Sequence, residues 1–335
     1  MRKFRVKIIA EAGVNHDGKL AKAKKLISKA KKCGADYVKF QAFDPDELCL
    51  EGSKKAKYQK RYNPKETQYS MLKRLALSKN EIIEIYKYAK KIKMNLMFSV
   101  FDNQSLKFIE KMKLDFIKLP SGEINNYKLL NEVCRSKSKI IFSSGASNLV
   151  DIKNCLKILR RKISNKRIIL MHCNSEYPTP LEDLNLNVIK SFKKIFKIDI
   201  GFSDHSISTL APALSVAAGA NFIEKHFTLN SKSKGPDHSS SLNPVQFKYM
   251  VKNIRETEIS MGSFFKKITK SEKKNHEIIR KSIVTKKRIL KNQKFTISNI
   301  TIKRPGGGIP ASKFFKIIGR KAKKNYKINE MIKDE

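Results

Sequence analysis

The sequence predicts an α/β chain, a (β/α)₈ barrel followed by a small β-rich C-terminal domain. Eight short, β-rich runs alternate with segments of helical length through most of the 335 residues. The runs are apolar almost without interruption, which suits a parallel sheet buried on both faces. Eight strand–helix units fill about 250 residues, the arithmetic of a closed barrel.

The first run, RVKIIAEA at 5–12, leads into an Ala- and Lys-rich amphipathic stretch at 19–33 that reads as a helix. DYVKFQAF at 36–43 is the second strand. Residues 44–78 are expected to form a long loop above it. Helical character returns at 80–93, followed by NLMFSVF at 95–101, a helix over 103–113 and DFIKLP at 115–120. The remaining strands are KIIFSSG (139–145), RIILMHC (167–173), IDIGFSD (198–204) and FIEKHFT (222–228), with a helix over 209–219 before the last. Residues 1–262 thus form the barrel domain, and the charged, poorly patterned stretch 263–280 is expected to be a linker. Residues 281–335 hold short β segments (SIVTKKRI, FTISNITIKRPGGG) and a short helix near 311–318. A module of this size is weakly stable alone, so it is expected to pack on a barrel, its own or a partner's.

A hydrophobic fraction of 40% is ample for a core. No apolar run approaches the ~18 residues of a membrane helix, and no secretory signal opens the chain. Five scattered cysteines without a CxxC pair fit a reducing compartment. A cytoplasmic protein without membrane attachment is expected. The net charge of +42 raises the question of nucleic acid. The lysines, however, are dispersed along the chain, as in Lys22, Lys24, Lys25, Lys29, Lys31 and Lys32 of one predicted helix, and no RNP-like or zinc-finger pattern accompanies them. They read as solvated helix faces that concentrate anionic substrates, and no nucleic-acid partner is expected.

In such a barrel the chemistry sits at the C-terminal strand ends. Reading those ends gives Glu11, Asn15 and His16, then Lys39 and Gln41, then Lys118, Ser121 and Glu123, then Ser143 and Ser144. The later ends give His172, Asn174 and Tyr177, then Ser203, Asp204 and His205, and finally Glu224 and His226. Polar groups at this density are costly in a simple core. Two lysines with several serines suit a phosphate and a carboxylate. A single strand-end histidine is ordinarily structural, but adjacent strands lie ~4.8 Å apart, so His205 and His226 together can share a metal. Two imidazoles suit Mn²⁺, Co²⁺ or Zn²⁺ better than Ca²⁺. Glu11 is a candidate general base. His16, His172 and His238 are each open to a structural or a functional role, and His276 falls in the linker.

At these residues the chain closely resembles the N-acetylneuraminate (sialic acid) synthase family of the bacterial NeuB type. The matching strings are IAEAGVNHDG (9–18), YVKFQAF (37–43), KLPSGEINN (118–126), HCNSEYPTP (172–180), IGFSDHS (200–206), FIEKHFTL (222–229), GPDHSSSLNP (235–244) and KRPGGG (303–308). They run in family order over nearly the whole chain. The resemblance implies a barrel plus a C-terminal SAF (antifreeze-like) domain. It also implies condensation of phosphoenolpyruvate with the open-chain aldehyde of an N-acetyl-amino sugar, typically N-acetylmannosamine, with release of phosphate by C–O cleavage. Lys39, Lys118, Ser121, Ser143 and Ser203 would hold phosphoenolpyruvate. Ser175 would join them, although relatives often carry Asn or Thr there. His205 and His226 would bind a divalent metal, Mn²⁺ first, with Mg²⁺ or Co²⁺ as alternatives. Glu11 would take the proton of the attacking water. Glu123, Tyr177 and Asp237 would contact the sugar, and Arg304 would reach it from a second copy in a domain-swapped homodimer.

Two motifs depart from the family pattern. RPGNG is Arg304-Pro-Gly-Gly-Gly308 here, which is expected to loosen that loop at Gly307. STGM is Ser143-Ser-Gly-Ala146. YPTP and GPDH, in place of YPAP and a GGVDS-like loop, argue against a pseudaminic acid synthase. Legionaminic acid synthesis, from 2,4-diacetamido-2,4,6-trideoxymannose, remains the alternative to sialic acid.

Overall fold

A computed structural model describes residues 5–333; the outer ends of the two expected domains, 1–4 and 334–335, lie outside the described residues. Eight parallel strands close into one barrel in sequential order: β1 (Lys7–Gly13), β2 (Tyr37–Ala42), β3 (Asn95–Val100), β4 (Phe116–Leu119), β5 (Lys139–Ser143), β6 (Ile168–Cys173), β7 (Asp199–Asp204) and β8 (Phe222–His226). All eight coincide with the expected runs. Closure is between β1 and β8, which pair from Lys7↔Phe222 to Glu11↔His226.

The alternation along each strand explains the packing. One set of side chains, including Ile9, Tyr37, Met97, Phe116, Ile141, Met171 and Phe222, forms an apolar cluster of its own. The opposite set, including Ile8, Val38, Phe40, Leu96, Phe98 and Ile140, joins a larger core with the helices. This is a filled barrel inside a helical ring. Helix α1 (Leu20–Lys32) buries Ala23, Leu26, Ile27 and Ala30, a 3–4 spacing that puts one stripe inward and leaves most of its lysines outward. Each fully buried Leu or Ile contributes about 1.5–3 kcal/mol.

The stretch expected to be a loop between β2 and β3 is more ordered. It holds α2 (Pro45–Leu48), a 3₁₀ turn at Tyr58–Arg61 and α3 (Gln68–Leu75), before α4 (Lys79–Lys91) completes the unit. Asp44 caps α2 and Thr67 caps α3. Met71 and Leu75 pack with Val14 into a small satellite cluster. Further along run α5 (Asn103–Glu110), α6 (Tyr127–Val133), α7 (Leu149–Arg160), α8 (Asn187–Phe196), α9 (Ala211–Ala217) and α10 (Pro244–Ser260). No described helix is long and apolar enough to cross a membrane.

By contact density the chain divides into Met1–Gly262 and Ser263–Glu335. The expected linker contains a helix, α11 (Lys270–Ile279), opened by a capping box between Thr269 and Glu272. It is followed by antiparallel β9 (Ser282–Thr285) and β10 (Ile300–Lys303), and by α12 (Phe314–Ile317). Ile283, Ile289, Phe295, Ile300, Ile309 and Ile317 supply most of this unit's own small core. Gly307 has φ of 100°. A side chain is strained there and glycine is not, so Gly307 fits the turn and does not simply loosen it.

Candidate active site

The barrel's two-residue period builds the site. Two positions beyond the inner apolar layer, the same faces present Glu11, Lys39, Ser99, Lys118, Ser143, Cys173 and Glu224. Neighbouring strands bring these groups side by side, with Glu11 opposite both Lys39 and His226, and Ser203 opposite Glu224. They line a cavity of about 520 Å³.

At its floor lies a charged network. Lys39 Nζ sits 2.7 Å from Glu11 Oε2, 3.7 Å from Glu224 Oε1 and 2.6 Å from Ser99 Oγ. Lys118 Nζ lies 3.2 Å from Glu224 Oε1, which also accepts a hydrogen bond from Ser203 Oγ at 2.9 Å. Burial pushes the Glu11 carboxyl above its ordinary value, against the pull of Lys39. Burial acts the same way on Glu224, but Lys118 and Lys39 overcome it and hold that carboxylate well below its ordinary value. Their surroundings thus push the two carboxylates in opposite directions, Glu11 up and Glu224 down. Asp237 is pushed up to about 7 by burial and by the charge of Glu11.

The two histidines stand with ring centroids 5.4 Å apart. His205 Nδ1 lies 2.5 Å from the Asn174 carbonyl. A carbonyl accepts, so Nδ1 carries the hydrogen and Nε2 keeps its lone pair. Burial lowers His205 to about 4 and, with His205 and Lys39 adding to it, holds His226 well below its ordinary value. Both are therefore neutral, the form in which imidazole binds a metal. His226 Nδ1 is buried without a hydrogen-bond partner among the described residues, and a buried unpaired group points to a ligand. No group of three or more His, Cys, Asp or Glu side chains able to hold a metal occurs among the described residues. The pair fits an open site completed by water or substrate, and not a closed structural zinc site.

Of the residues singled out from sequence, Glu11, Lys39, Lys118, Ser121, Ser143, Ser175, Tyr177, Ser203, His205, His226 and Asp237 all line this one cavity. Glu123 is not part of its lining; its carboxylate accepts from Asn126 Nδ2 at 2.7 Å. Arg304 lies in the Ser263–Glu335 unit, where it is exposed. His16, His172 and His238 are held elsewhere: His16 Nδ1 accepts from Gly18 N–H, His172 Nε2 bonds the Leu184 carbonyl, and His238 bridges Thr228 and Asp17. Sequence reasoning missed Tyr58 and Gln68, which reach the cavity from the 44–78 segment, and gave no role to Glu224 or Cys173. Glu224 was visible as a strand-end carboxylate; Tyr58 carried no signal.

Residues 26–266 match the NeuB family, and residues 280–335 match the SAF domain. The chain belongs to the NeuB family. An N,N'-diacetyllegionaminic acid synthase from Campylobacter jejuni is 41% identical over 98% of this chain and 98% of that one. The human N-acetylneuraminate-9-phosphate synthase is 32% identical over 98% of this chain and 91% of its own. Among solved structures, the N-acetylneuraminic acid synthetase of Leptospira borgpetersenii superposes with a TM-score of 0.72 at 29% identity, covering 81% of this chain and 90% of that one. This NeuB-family chain is therefore an enzyme of the nonulosonic acid synthase group, with the barrel and SAF domain that its motifs imply.

The serine-lined part of the cavity is shaped by backbone as well as side chains. The Gly145 N–H donates to Ser121 Oγ at 2.9 Å. A Cβ on Gly145 would collide with the hydroxyls of Ser175 and Ser121, so glycine leaves room for both hydroxyls.

Proposed function

We propose that this enzyme condenses phosphoenolpyruvate with open-chain 2,4-diacetamido-2,4,6-trideoxymannose to give N,N'-diacetyllegionaminic acid. The observation carrying the reaction class is the convergence of Lys39, Lys118, Glu11, Glu224, His205 and His226 on one cavity. The sugar is favoured by 41% identity to a legionaminic acid synthase against 32% to a human synthase of the sialic acid branch. Motif resemblance alone puts N-acetylmannosamine first; the identities reverse that order.

Lys39 and Lys118 supply positive charge to the phosphate and carboxylate of phosphoenolpyruvate, and Ser121, Ser143, Ser175 and Ser203 supply hydrogen bonds. Glu224, ionised between the lysines, fixes both ammonium groups. A carbon–carbon bond forms between C3 of phosphoenolpyruvate and the aldehyde carbon, and the carbonyl oxygen gains a proton to become a hydroxyl. Water adds to C2 and yields a proton to Glu11; the C2–O bond then breaks and inorganic phosphate leaves. A divalent ion held by His205 and His226, Mn²⁺ with Mg²⁺ or Co²⁺ as alternatives, supplies a Lewis acid for the aldehyde. Tyr177 and Asp237 serve the sugar side, and Arg304 of a second copy completes it in a domain-swapped homodimer; Glu123, outside the cavity lining, is given no contact with the sugar.

The test offers phosphoenolpyruvate and Mn²⁺ with each of three sugars: the diacetamido-trideoxymannose, N-acetylmannosamine and the altrose precursor of pseudaminate. Product mass and phosphate release are followed with and without a chelator. Efficient turnover of the first sugar, lost on chelation, is expected. No sugar-dependent phosphate release would overturn the reaction class, and preference for N-acetylmannosamine would overturn the sugar.

A further inference from the structure

The segment between β2 and α4 gives the cavity a wall that the barrel strands do not. Its turn is built around a buried cation. Lys55 Nζ donates to the carbonyls of Tyr62 at 3.0 Å and Asn63 at 2.6 Å and pairs with Glu66 at 3.3 Å; Glu66 is held in turn by Arg74 at 3.0 Å. A buried ammonium with its donors satisfied fixes the turn around it. The turn and the first residue of α3 then place Ala56, Tyr58 and Gln68 in the cavity lining.

Tyr58 packs against Tyr177 with its ring tilted by 31° and centroids 4.8 Å apart, and Tyr177 stacks on His205 at 4.1 Å. Tyr58 is thus the outer ring of a three-ring column standing on a candidate metal ligand. Its hydroxyl accepts from Gln59 Nε2 at 3.2 Å, which leaves its own hydrogen to donate. Burial and the nearby charge of Asp237 hold the phenol above its ordinary value, so it stays neutral. Gln68 brings a side-chain amide to the same lining. Both lysines of the cavity come from strand ends, whereas Ala56, Tyr58 and Gln68 come from the 44–78 segment. With phosphoenolpyruvate on the lysines and the aldehyde at the histidines, the Tyr58–Gln68 wall of the same cavity is left for the rest of the sugar. That wall offers an aromatic ring, a methyl and an amide, with Asp237 the nearby acidic group. That chemistry matches acetamido and methyl groups better than a row of hydroxyls.

We propose that Tyr58 and Gln68 read the C4–C6 end of the sugar, contacting the C4 acetamido and C6 methyl groups, and so determine which nonulosonic acid is made. The inference rests on the phosphoenolpyruvate-dependent reading of this site. Lys55 is a positioning residue that acts through the turn.

The experiment measures kcat and KM for the diacetamido sugar and for N-acetylmannosamine in wild type, Tyr58→Ala, Gln68→Ala and Lys55→Met, together with KM for phosphoenolpyruvate. Tyr58→Ala and Gln68→Ala should each move the ratio of the two kcat/KM values about ten-fold toward N-acetylmannosamine. KM for phosphoenolpyruvate should change by less than about two-fold. Lys55→Met should shift the ratio the same way and speed proteolytic cleavage between residues 56 and 66. An unmoved ratio in both cavity variants, with a wild type that turns over the diacetamido sugar, would overturn the inference. A wild type that turns over neither sugar would instead overturn the functional reading beneath it.

Discussion

Lys225 Nζ lies 2.6 Å from Asp204 Oδ2, and neither side chain has any solvent exposure. The two residues are paired across β7 and β8. By alternation they point away from the site, while their neighbours Ser203 and Glu224 point into it. Lys225 also donates to the Ser206 carbonyl at 2.5 Å, and Ser206 N–H donates to Asp204 Oδ1 at 2.8 Å. The turn carrying His205 is therefore clamped to the strand carrying His226. A buried ion pair is seldom a net source of stability compared with apolar residues of similar volume, so its value here is positional. Lys225→Met alone should cost about 3–5 kcal/mol in urea unfolding, because Asp204 is left buried and unpaired. The Asp204→Leu/Lys225→Met double variant should recover most of that loss yet bind Mn²⁺ more weakly by calorimetry. Wild-type Mn²⁺ affinity in a folded double variant would reject the positional role.

Gly145 gives a test of the proposed phosphoenolpyruvate contacts of Ser121 and Ser175. Because a Cβ there would collide with Ser121 and Ser175 hydroxyls, Gly145→Ala should raise KM for phosphoenolpyruvate about ten-fold or more while changing KM for the sugar far less. Steady-state kinetics with each substrate varied in turn decide it. A larger effect on the sugar would place the anion elsewhere in the cavity.

The strands were legible because burial on both faces leaves long apolar runs, as in Ile168–Cys173, every residue of which is buried. Strand-end chemistry was legible for the same reason, since Lys39 and Glu224 stand out against apolar flanks. The 44–78 segment was not. Its helices α2 and α3 are short, and its order comes from one buried ammonium at Lys55 and a few contacts with Val14. Tyr58 reaches the site through a tilted ring contact with Tyr177, between residues far apart in sequence, that no local period announces. Helix α11 escaped for a different reason. It has no buried residue, so the apolar stripe that marks a packed helix is missing; its capping box, Thr269 and Glu272, was the available signal.

His16 gives the barrel a specific acid sensitivity. Burial lowers its imidazole to about 4 from 6.5. Above pH 6.5 the ring is neutral in both folded and unfolded chains, and no penalty arises. As pH falls from 6.5 toward 4 the unfolded chain takes up the proton and the folded chain does not, so stability falls by up to about 3 kcal/mol. Below 4 both are protonated and the loss levels off. His16→Asn keeps an acceptor for Gly18 N–H and removes the titration. Its unfolding free energy should therefore fall less steeply than that of wild type between pH 6.5 and 4. Parallel slopes over that window, from denaturant melts at matched ionic strength, would show that His16 is not the source.

Arg304 provides the test of the assembly. It lies exposed beside the Gly-rich turn of the C-terminal unit, whereas the other proposed contacts all belong to the barrel unit. If Arg304 serves a partner's barrel, Arg304→Ala and His226→Ala chains, each inactive alone, should complement when mixed. In a swapped mixed dimer the barrel of the first variant meets the arginine of the second, and one intact composite site results. Random pairing makes half the dimers mixed, each with one good site of two, so about a quarter of wild-type activity should return in a closed two-fold dimer that exchanges freely. Light scattering establishes the dimer, and exchange between tagged chains verifies mixing. If activity stays at zero after verified exchange, Arg304 acts on its own barrel or not at all, and the swapped arrangement is abandoned while the barrel's chemistry stands untouched.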